Sequence, residues 1–198
     1  MSSKGRLREA LNIALMLVII VVIVGVAYPV VMFAYSRIFS AKADGNLIYV
    51  NGKAVGSRLI GQKFTSDYFF HGRPSSAGKG YDAMASGASN LGPTNPKLAA
   101  DMRARLAATL RQNPGLSRAK VPIEMLTGSD SGLDPEISVD SAKLQVPRVA
   151  KAPGLSRAVL ETAVRKHTMQ RTLGIFGEPR VNVLELNLDV LKLKGGSK

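Results

Sequence analysis

The chain has 198 residues, a formal net charge of +13 and no cysteine. This length fits one domain and a little more. The absence of cysteine excludes disulfides, thiolate chemistry and cysteine-ligated zinc. With only His71 and His167 available as imidazole ligands, we predict no metal site. The basic excess predicts either a solvated surface or attraction to anions such as lipid headgroups, an acidic partner or a nucleotide.

The N-terminal segment has the length and apolarity of a membrane span. No charged residue occurs in the 27 residues from Ala10 to Ser36. At about 1.5 Å per helical residue this run reaches about 40 Å, more than the ~30 Å hydrocarbon core of a bilayer. We therefore predict one transmembrane helix over residues 10–39. Within it, Gly25 and Ala27 are small enough to let a neighbouring helix approach closely.

A cleaved signal peptide is the alternative interpretation of this segment. Ala41-Lys42-Ala43 has the small-x-small form of a cleavage site. The apolar core of a signal peptide is only about 7–15 residues long, however, so the length of the run favours a retained anchor.

The basic residues that flank the span predict its orientation. Lys4, Arg6 and Arg8 precede it, and only Arg37 and Lys42 follow it closely. The positive-inside rule then makes residues 1–9 a cytoplasmic tail and residues 40–198 an extracytoplasmic domain. Beyond residue 9 the chain keeps 24 Lys and Arg against 13 Asp and Glu, so this domain is basic.

The soluble part is predicted to be a small α+β domain that begins with a hairpin. Leu47–Val50 is followed by Asn51-Gly52, a pair that accepts the positive φ angles of a type I′ turn. The return strand includes Ala54-Val55, with Arg58 to Ile60 as a further candidate. A long loop region over residues 67–95 follows.

Three helices and one strand are predicted after that loop. Asn95 as N-cap and Pro96 begin the first helix, which has an apolar residue at every fourth position and ends at residues 113–115. A second polar loop, residues 127–138, leads to a helix that we expect to break or kink near Pro147. Ser156 caps a third helix closed by Gly174, and the alternating residues 181–186 predict a half-buried terminal strand.

Two glycine-rich stretches come close to a phosphate-binding P-loop. In residues 56–63, Gln62 stands where the motif has lysine, and residues 72–80 have one residue too many between the glycines. We predict that neither is a P-loop. His71 with a serine and Asp82 or Asp134 would suit a hydrolase, although no G-x-S-x-G motif accompanies them. An envelope hydrolase and a membrane-anchored anion-binding module therefore remain alternative functions.

The uncharged loop SGASNLGPTN, residues 86–95, suits contact with another protein. Its Ser and Asn side chains can bond to the loop's own backbone and hold it in one shape. A rigid neutral loop favours docking over acid–base chemistry, which needs titrating groups. The candidate contact or loop-structuring residues are Ser86, Ser89, Asn90, Thr94, Asn95, Ser131, Asp134 and Arg148.

Five sequence blocks follow the hydrophobic anchor, and together they resemble the C subunit of the bacterial Kdp potassium-transporting P-type ATPase. The blocks occur in the family's order and cover the chain nearly end to end. They are GSRLIGQKF (56–64), YFFHGRPSSAGKGYDAMASGASNLGPTN (68–95), VPIEMLTGSDSGLDPEIS (121–138), VPRVAKAPGLS (146–156) and GEPRVNVLELNL (177–188).

The resemblance implies an accessory inner-membrane subunit with no catalytic residue of its own. It implies two partners, a potassium-selective channel-like subunit and a P-type subunit that hydrolyses ATP. It further implies that the subunit aids assembly and raises the pump's ATP affinity, with its soluble domain outside, near the potassium entrance. K⁺ would be the transported ion, and any effect on ATP would cross the complex as a coupling free energy.

The sequence departs from the family's usual SGSGLDPHIS at two positions. Asp130 occupies a small-residue position, and Glu136 stands where histidine is common. We expect both carboxylates to be solvated rather than to hold a cation.

Overall fold

The computed structural model describes residues 3–151 and 155–195. The chain divides into two compact units between Asn46 and Leu47. The first is helical and the second mixes helices with two small sheets, which confirms a single N-terminal membrane-helix candidate and an α+β domain.

The N-terminal unit is one long apolar helix. It comprises α1 (Ser3–Val22), a π-helical segment (Ile23–Ala27), α2 (Tyr28–Ser36), a 3₁₀ turn (Arg37–Phe39) and α3 (Ser40–Ala43). From Gly5 to Ala43 it is long and apolar enough to cross a membrane, and none of its apolar window is buried.

Pro29 explains the π-helical segment. Its nitrogen cannot donate to the carbonyl of Gly25, and its ring would crowd that carbonyl in a regular helix. The N–H of Tyr28 instead reaches the carbonyl of Ile23, five residues back, which widens the turn ahead of the proline.

The second unit opens with the predicted hairpin. Strands β1 (Leu47–Val50) and β2 (Lys53–Ser57) pair antiparallel. Asn51 and Gly52 join them with φ angles of 51° and 76°. β2 ends at Ser57, because the Ser57 hydroxyl accepts the Leu59 N–H at 3.0 Å and starts a turn. Arg58 to Ile60 therefore do not extend the strand.

Four helices and a three-stranded antiparallel sheet form the rest of the unit. The sheet order is β3-β5-β4. In chain order the elements are α4 (Pro96–Gln112), β3 (Glu136–Ser138), α5 (Val139–Lys151), α6 (Arg157–Lys166), β4 (Thr168–Met169), β5 (Arg180–Asn182) and α7 (Val183–Gly195).

Both predicted N-caps are confirmed. The Asn95 Oδ1 accepts the Lys97 N–H at 2.9 Å. The Ser156 hydroxyl accepts the Val159 N–H at 3.3 Å. Each side chain satisfies one of the free N–H groups at its helix start.

The core lies between α5, α6, α7 and the sheet. Phe70, from the long loop, is fully buried there and brings that loop into the domain interior. The core residues are Phe70, Ile137, Ala142, Val146, Val149, Leu160, Ala163, Val164, Val181, Val183, Leu186 and Val190.

The helix does not break at Pro147, because α5 continues from Val139 to Lys151. A kink there stays a prediction. Pro147 lies on the exposed side of the helix, whereas Val146 and Val149 are buried in the core. Packing of that buried face outweighs the single hydrogen bond that the proline removes.

The predictions for the third helix and for the last strand are also partly wrong. α6 ends at Lys166, well before Gly174, because residues 168–169 leave the helix and pair with β5. At residues 181–186, only Val181 and Asn182 lie in a strand. The Asn182 Oδ1 accepts the Glu185 N–H at 3.1 Å, and this contact starts α7 at the centre of the expected strand.

Candidate functional site

Two polar loops meet on the surface of the domain, and we call residues 73–87 and 128–134 the loop junction. The Ser129 N–H donates to the Pro74 carbonyl at 3.1 Å, and the Gly87 N–H donates to the Ser131 carbonyl at 2.9 Å. The Ser75 hydroxyl donates to the Gly132 carbonyl at 2.6 Å. Backbone groups of each loop therefore satisfy those of the other.

Gly132 is the point of closest approach in the loop junction. Its φ is +69°, and a Cβ on it would lie 2.6 Å from the Ala77 nitrogen and 2.8 Å from the Gly87 oxygen. Any other residue would face both backbone strain and a collision with backbone atoms that cannot rotate away.

An ion pair supports the loop junction from one side. The Arg73 Nη1 lies 2.9 Å from the Asp134 Oδ2, and both side chains are about three-quarters buried. The other Asp134 oxygen accepts the Glu136 N–H at 3.0 Å. The Tyr81 hydroxyl donates to the Arg73 carbonyl. Burial and the charge of Asp134 raise the pKa of Tyr81 to about 12, so it remains a neutral donor.

At its start, the loop predicted for docking is fixed by a bond to the second loop rather than by side-chain bonds to its own backbone. The Ser86 hydroxyl donates to the Ser131 carbonyl at 2.9 Å. The Ser131 hydroxyl accepts the Leu133 N–H at 3.1 Å. Ser89, Asn90 and Thr94 are exposed, and their side chains make no hydrogen bond within the described parts of the chain. The structure thus leaves three uncharged polar groups free on a loop that is fixed at both ends.

Two buried amides hold the segment that precedes the loop junction. The Asn187 side chain of α7 accepts the Phe70 N–H at 2.8 Å and donates to the Phe70 carbonyl at 2.9 Å. The Gln145 side chain of α5 does the same for His71, at 2.7 and 3.0 Å. Sequence reasoning missed both residues, although a polar amide on the buried face of an apolar helix was a usable signal.

Arg148 is buried beside the amide side chain of Gln145. Its Nη1 donates to the Asp67 carbonyl at 2.6 Å, and its Nη2 donates to the Gln145 Oε1 at 2.7 Å. Burial lowers the pKa of its guanidinium, an effect that the charge of Asp67 opposes. The structure therefore places Arg148 under the long loop and away from the loop junction that holds Ser131 and Asp134.

The contacts of the His71 ring are structural rather than catalytic. Its Nε2 donates to the Ser66 carbonyl at 3.1 Å. Burial lowers the pKa of the His71 imidazole, and the charge of Arg148 lowers it further. No serine hydroxyl bonds to this ring among the described residues, so the arrangement of a Ser-His-Asp hydrolase is not formed there.

The depressed pKa of His71 predicts a pH-dependent stability. The folded state holds fewer protons at His71 than the unfolded state, whose pKa is about 6.5. The free energy of unfolding should therefore be unaffected above about pH 7.5 and fall as the pH drops through about 6.5, by at most about 1.4 kcal/mol per pH unit. Denaturant unfolding of the full chain should show this loss, and His71→Gln should reduce its slope. An unchanged slope in the variant would assign the pH dependence elsewhere.

Neither glycine-rich stretch forms a P-loop. Residues 56–63 cover the end of β2 and the turn after it, and residues 72–80 lead to a 3₁₀ turn at Ala83–Ala85. A P-loop needs a helix N-terminus directly after the glycines. Within the described residues no group of three or more His, Asp or Glu is placed to hold a metal ion.

Comparison with known proteins identifies the family. Residues 9–192 match the family model KdpC, described as "K+-transporting ATPase, c chain". The chain belongs to the KdpC family. It is therefore a subunit of the multi-subunit Kdp potassium-transporting ATPase complex.

Relatives named "Potassium-transporting ATPase KdpC subunit" resemble the chain over most of its length. The protein of Gemmatimonas aurantiaca is 50% identical, over 88% of each chain. That of Mycobacterium bovis is 46% identical over 94% of this chain and 99% of the relative. That of Koribacter versatilis is 45% identical over 92% of this chain and 94% of the relative.

The two departures from the usual KdpC pattern have different environments. Asp130 is exposed, as expected. Glu136 lies in β3, and its Oε2 is 2.7 Å from the Arg180 Nε in β5. The expectation of a solvated Glu136 is therefore wrong. The pairing of β3 with β5 sets Glu136 opposite Asn182, and it brings Arg180, two residues away along β5, within reach of the carboxylate.

Proposed function

We propose that this KdpC chain is a non-catalytic accessory subunit that aids assembly of the potassium-importing complex and raises its affinity for ATP. Its partners are the channel-like subunit that selects potassium and the P-type subunit that hydrolyses ATP. K⁺ is the transported ion, and ATP acts on the partner. The loop junction carries this proposal, because it fixes the start of the uncharged loop 86–95, on which Ser89, Asn90 and Thr94 are exposed.

Pre-organisation is what makes this surface suitable for docking. A loop that is already ordered loses little conformational freedom when a partner binds, so more of the contact energy appears as affinity. The hydrogen bonds from residues 86 and 87 to Ser131 supply that order before any partner arrives.

We propose that residues 1–9 are cytoplasmic, residues 10–39 cross the inner membrane and residues 40–198 lie outside it. An effect on ATP then acts across the membrane as a coupling free energy. Couplings of this kind are typically about 1–3 kcal/mol, or about 5- to 150-fold in affinity.

The experiment introduces charge into the docking loop. Ser89→Arg should lower recovery of the complex, or raise the ATP concentration for half-maximal hydrolysis at least about fivefold. Thr162→Arg, on the exposed face of α6, adds the same charge away from the loop and should change neither. If Ser89→Arg gave the same recovery of the complex and the same ATP dependence as the wild type, the loop would not be part of the interface.

Cysteine labelling tests the proposed topology, and the chain has no native cysteine to interfere. Ser89→Cys should react in intact cells with a thiol reagent that cannot cross the inner membrane, because Ser89 is exposed. Ser3→Cys should react only after the membrane is opened. The reverse pattern would place the domain in the cytoplasm.

Gly25 and Ala27 are proposed as the small residues that let a neighbouring helix approach the membrane helix closely. Gly25→Leu should lower co-purification of the complex at least about threefold, because a bulky side chain keeps a neighbouring helix at a distance. No atom lies within 4 Å of a Cβ at Gly25, so the helix itself accepts the substitution. Val26→Leu, on another face, is the control. Equal recovery of both variants would exclude Gly25 from the contact.

A further inference from the structure

An open cleft with a volume of about 850 Å³ lies in the second unit, away from the loop junction. It lies between the end of α4, the segment that follows α4, and one side of α5. Its lining holds one acidic residue, Asp67, and six basic ones: Arg111, Lys120, Lys143, Arg148, Lys151 and Arg157.

These six basic residues all lack a carboxylate partner. Among the described residues, none of the six lies within ion-pair distance of an Asp or Glu oxygen. Outside the cleft, six Lys and Arg side chains of the unit do form such pairs: Arg58, Arg73, Lys97, Lys166, Arg171 and Arg180. Other unpaired basic residues, such as Lys53 and Lys79, are exposed outside the cleft, whereas these six line one cleft that holds a single carboxylate.

Arg148 shows that this excess is built into the cleft and is not only a solvated surface. It is 7% exposed, both of its Nη atoms bind neutral oxygens, and its buried Nε has no partner. The charge of Asp67 acts on Arg148 but does not lie within ion-pair distance of it, and a buried charge that is only partly compensated is costly. An anion in the cleft would supply the missing counter-charge.

The partial negative charges at helix C-termini compensate only some of the basic residues that line the cleft. Arg111 lies in the last turn of α4, and Arg148 and Lys151 lie in the last turn of α5. Each of these helix ends carries about half a negative charge. Lys143 and Arg157 do not lie at a helix C-terminus, and Lys120 ends only a three-residue 3₁₀ turn, so most of the positive excess remains.

We propose that this cleft binds a phosphate-bearing anion. Its volume is within the range of about 300–1,000 Å³ that is usual for small-molecule sites. Lys120 and Lys143 are exposed at the rim and would contact the phosphate, while the buried Arg148 holds positive potential beneath it. The headgroup of an anionic lipid and a soluble phosphate compound offer this same chemistry.

The test uses the full chain in nanodiscs of neutral phosphatidylcholine, titrated with inorganic pyrophosphate. Binding should be measurable calorimetrically and weaken about five- to tenfold when Lys120→Gln and Lys143→Gln are combined. The control combines Lys53→Gln with Lys79→Gln, which removes the same charge from exposed positions outside the cleft and should leave affinity within about twofold.

A second arm distinguishes the two sources of phosphate. Modification of Lys120 and Lys143 by an amine reagent is followed by mass spectrometry, with Lys53 as the internal reference. Protection in nanodiscs that contain phosphatidylglycerol, without pyrophosphate, would identify a lipid headgroup. Protection by pyrophosphate alone would identify a soluble ligand. An absence of binding and protection in both arms, or an equal loss in the two double variants, would overturn the proposal.

Discussion

Gly132→Ala should lower the free energy of unfolding by about 3 kcal/mol. The left-handed φ of +69° costs a side chain about 1–2 kcal/mol. The new Cβ would also collide with the Ala77 nitrogen, 2.6 Å away, and its relief requires the two loops to separate. Urea unfolding of the detergent-solubilised chain, followed by circular dichroism, measures the change.

Gly174→Ala is the matched control for this prediction. Its φ of +75° is close to that of Gly132, but no atom lies within 4 Å of its Cβ position. The substitution then introduces only backbone strain, so the free energy of unfolding should fall by only about 1 kcal/mol. Equal losses for the two variants would mean that the contact between the loops contributes nothing beyond the backbone conformation.

Asn187→Leu should cost about 3 kcal/mol as well, for a different reason. The substitution conserves volume but removes both partners of the Phe70 backbone, whose N–H and carbonyl then remain buried and unpaired. Each such group costs about 1–3 kcal/mol. Urea unfolding followed by circular dichroism measures this change as well. We expect the loss of the two hydrogen bonds to detach the loop region that begins at Phe70 from α7.

Thr162→Val provides the comparison for this second prediction. Its hydroxyl also donates to a backbone carbonyl, that of Ala158, but the bond is exposed to solvent. Water replaces the lost bond, so the change should stay below about 0.5 kcal/mol. A similarly small loss for Asn187→Leu would contradict the role assigned to the buried amide.

Local signals in the sequence predict the elements at which they act. Asn51-Gly52 predicts the hairpin, Asn95 and Ser156 predict two helix starts, and the uncharged run predicts the long apolar helix. Each of these features depends on residues within one continuous segment of the chain, so little outside the segment can override it.

The sequence-based predictions fail where contacts between residues distant in sequence determine the secondary structure. The alternation at residues 181–186 fits a strand, yet the cap by Asn182 and the burial of Val183, Leu186 and Val190 start a helix there. α5 continues through Pro147 because its opposite face is held in the core. Propensity alone cannot weigh such packing.

The candidate site is predictable in its parts but not in its assembly. The sequence marks both polar loops and singles out Ser86, Ser131 and Asp134. That Ser86 bonds to a residue 45 positions later, and that Asn187 pairs with a backbone 117 positions earlier, follows only from the fold. The family resemblance groups these blocks without saying which of them touch.

Co-purification from membranes tests the account's central claim most directly. The full chain carries an affinity tag and is isolated from detergent-solubilised membranes of potassium-starved cells. We predict that it brings with it the channel-like subunit and the P-type subunit, together with potassium-stimulated ATP hydrolysis. Recovery of the chain alone, without an ATPase, would contradict the assignment of this protein as an accessory subunit of the pump.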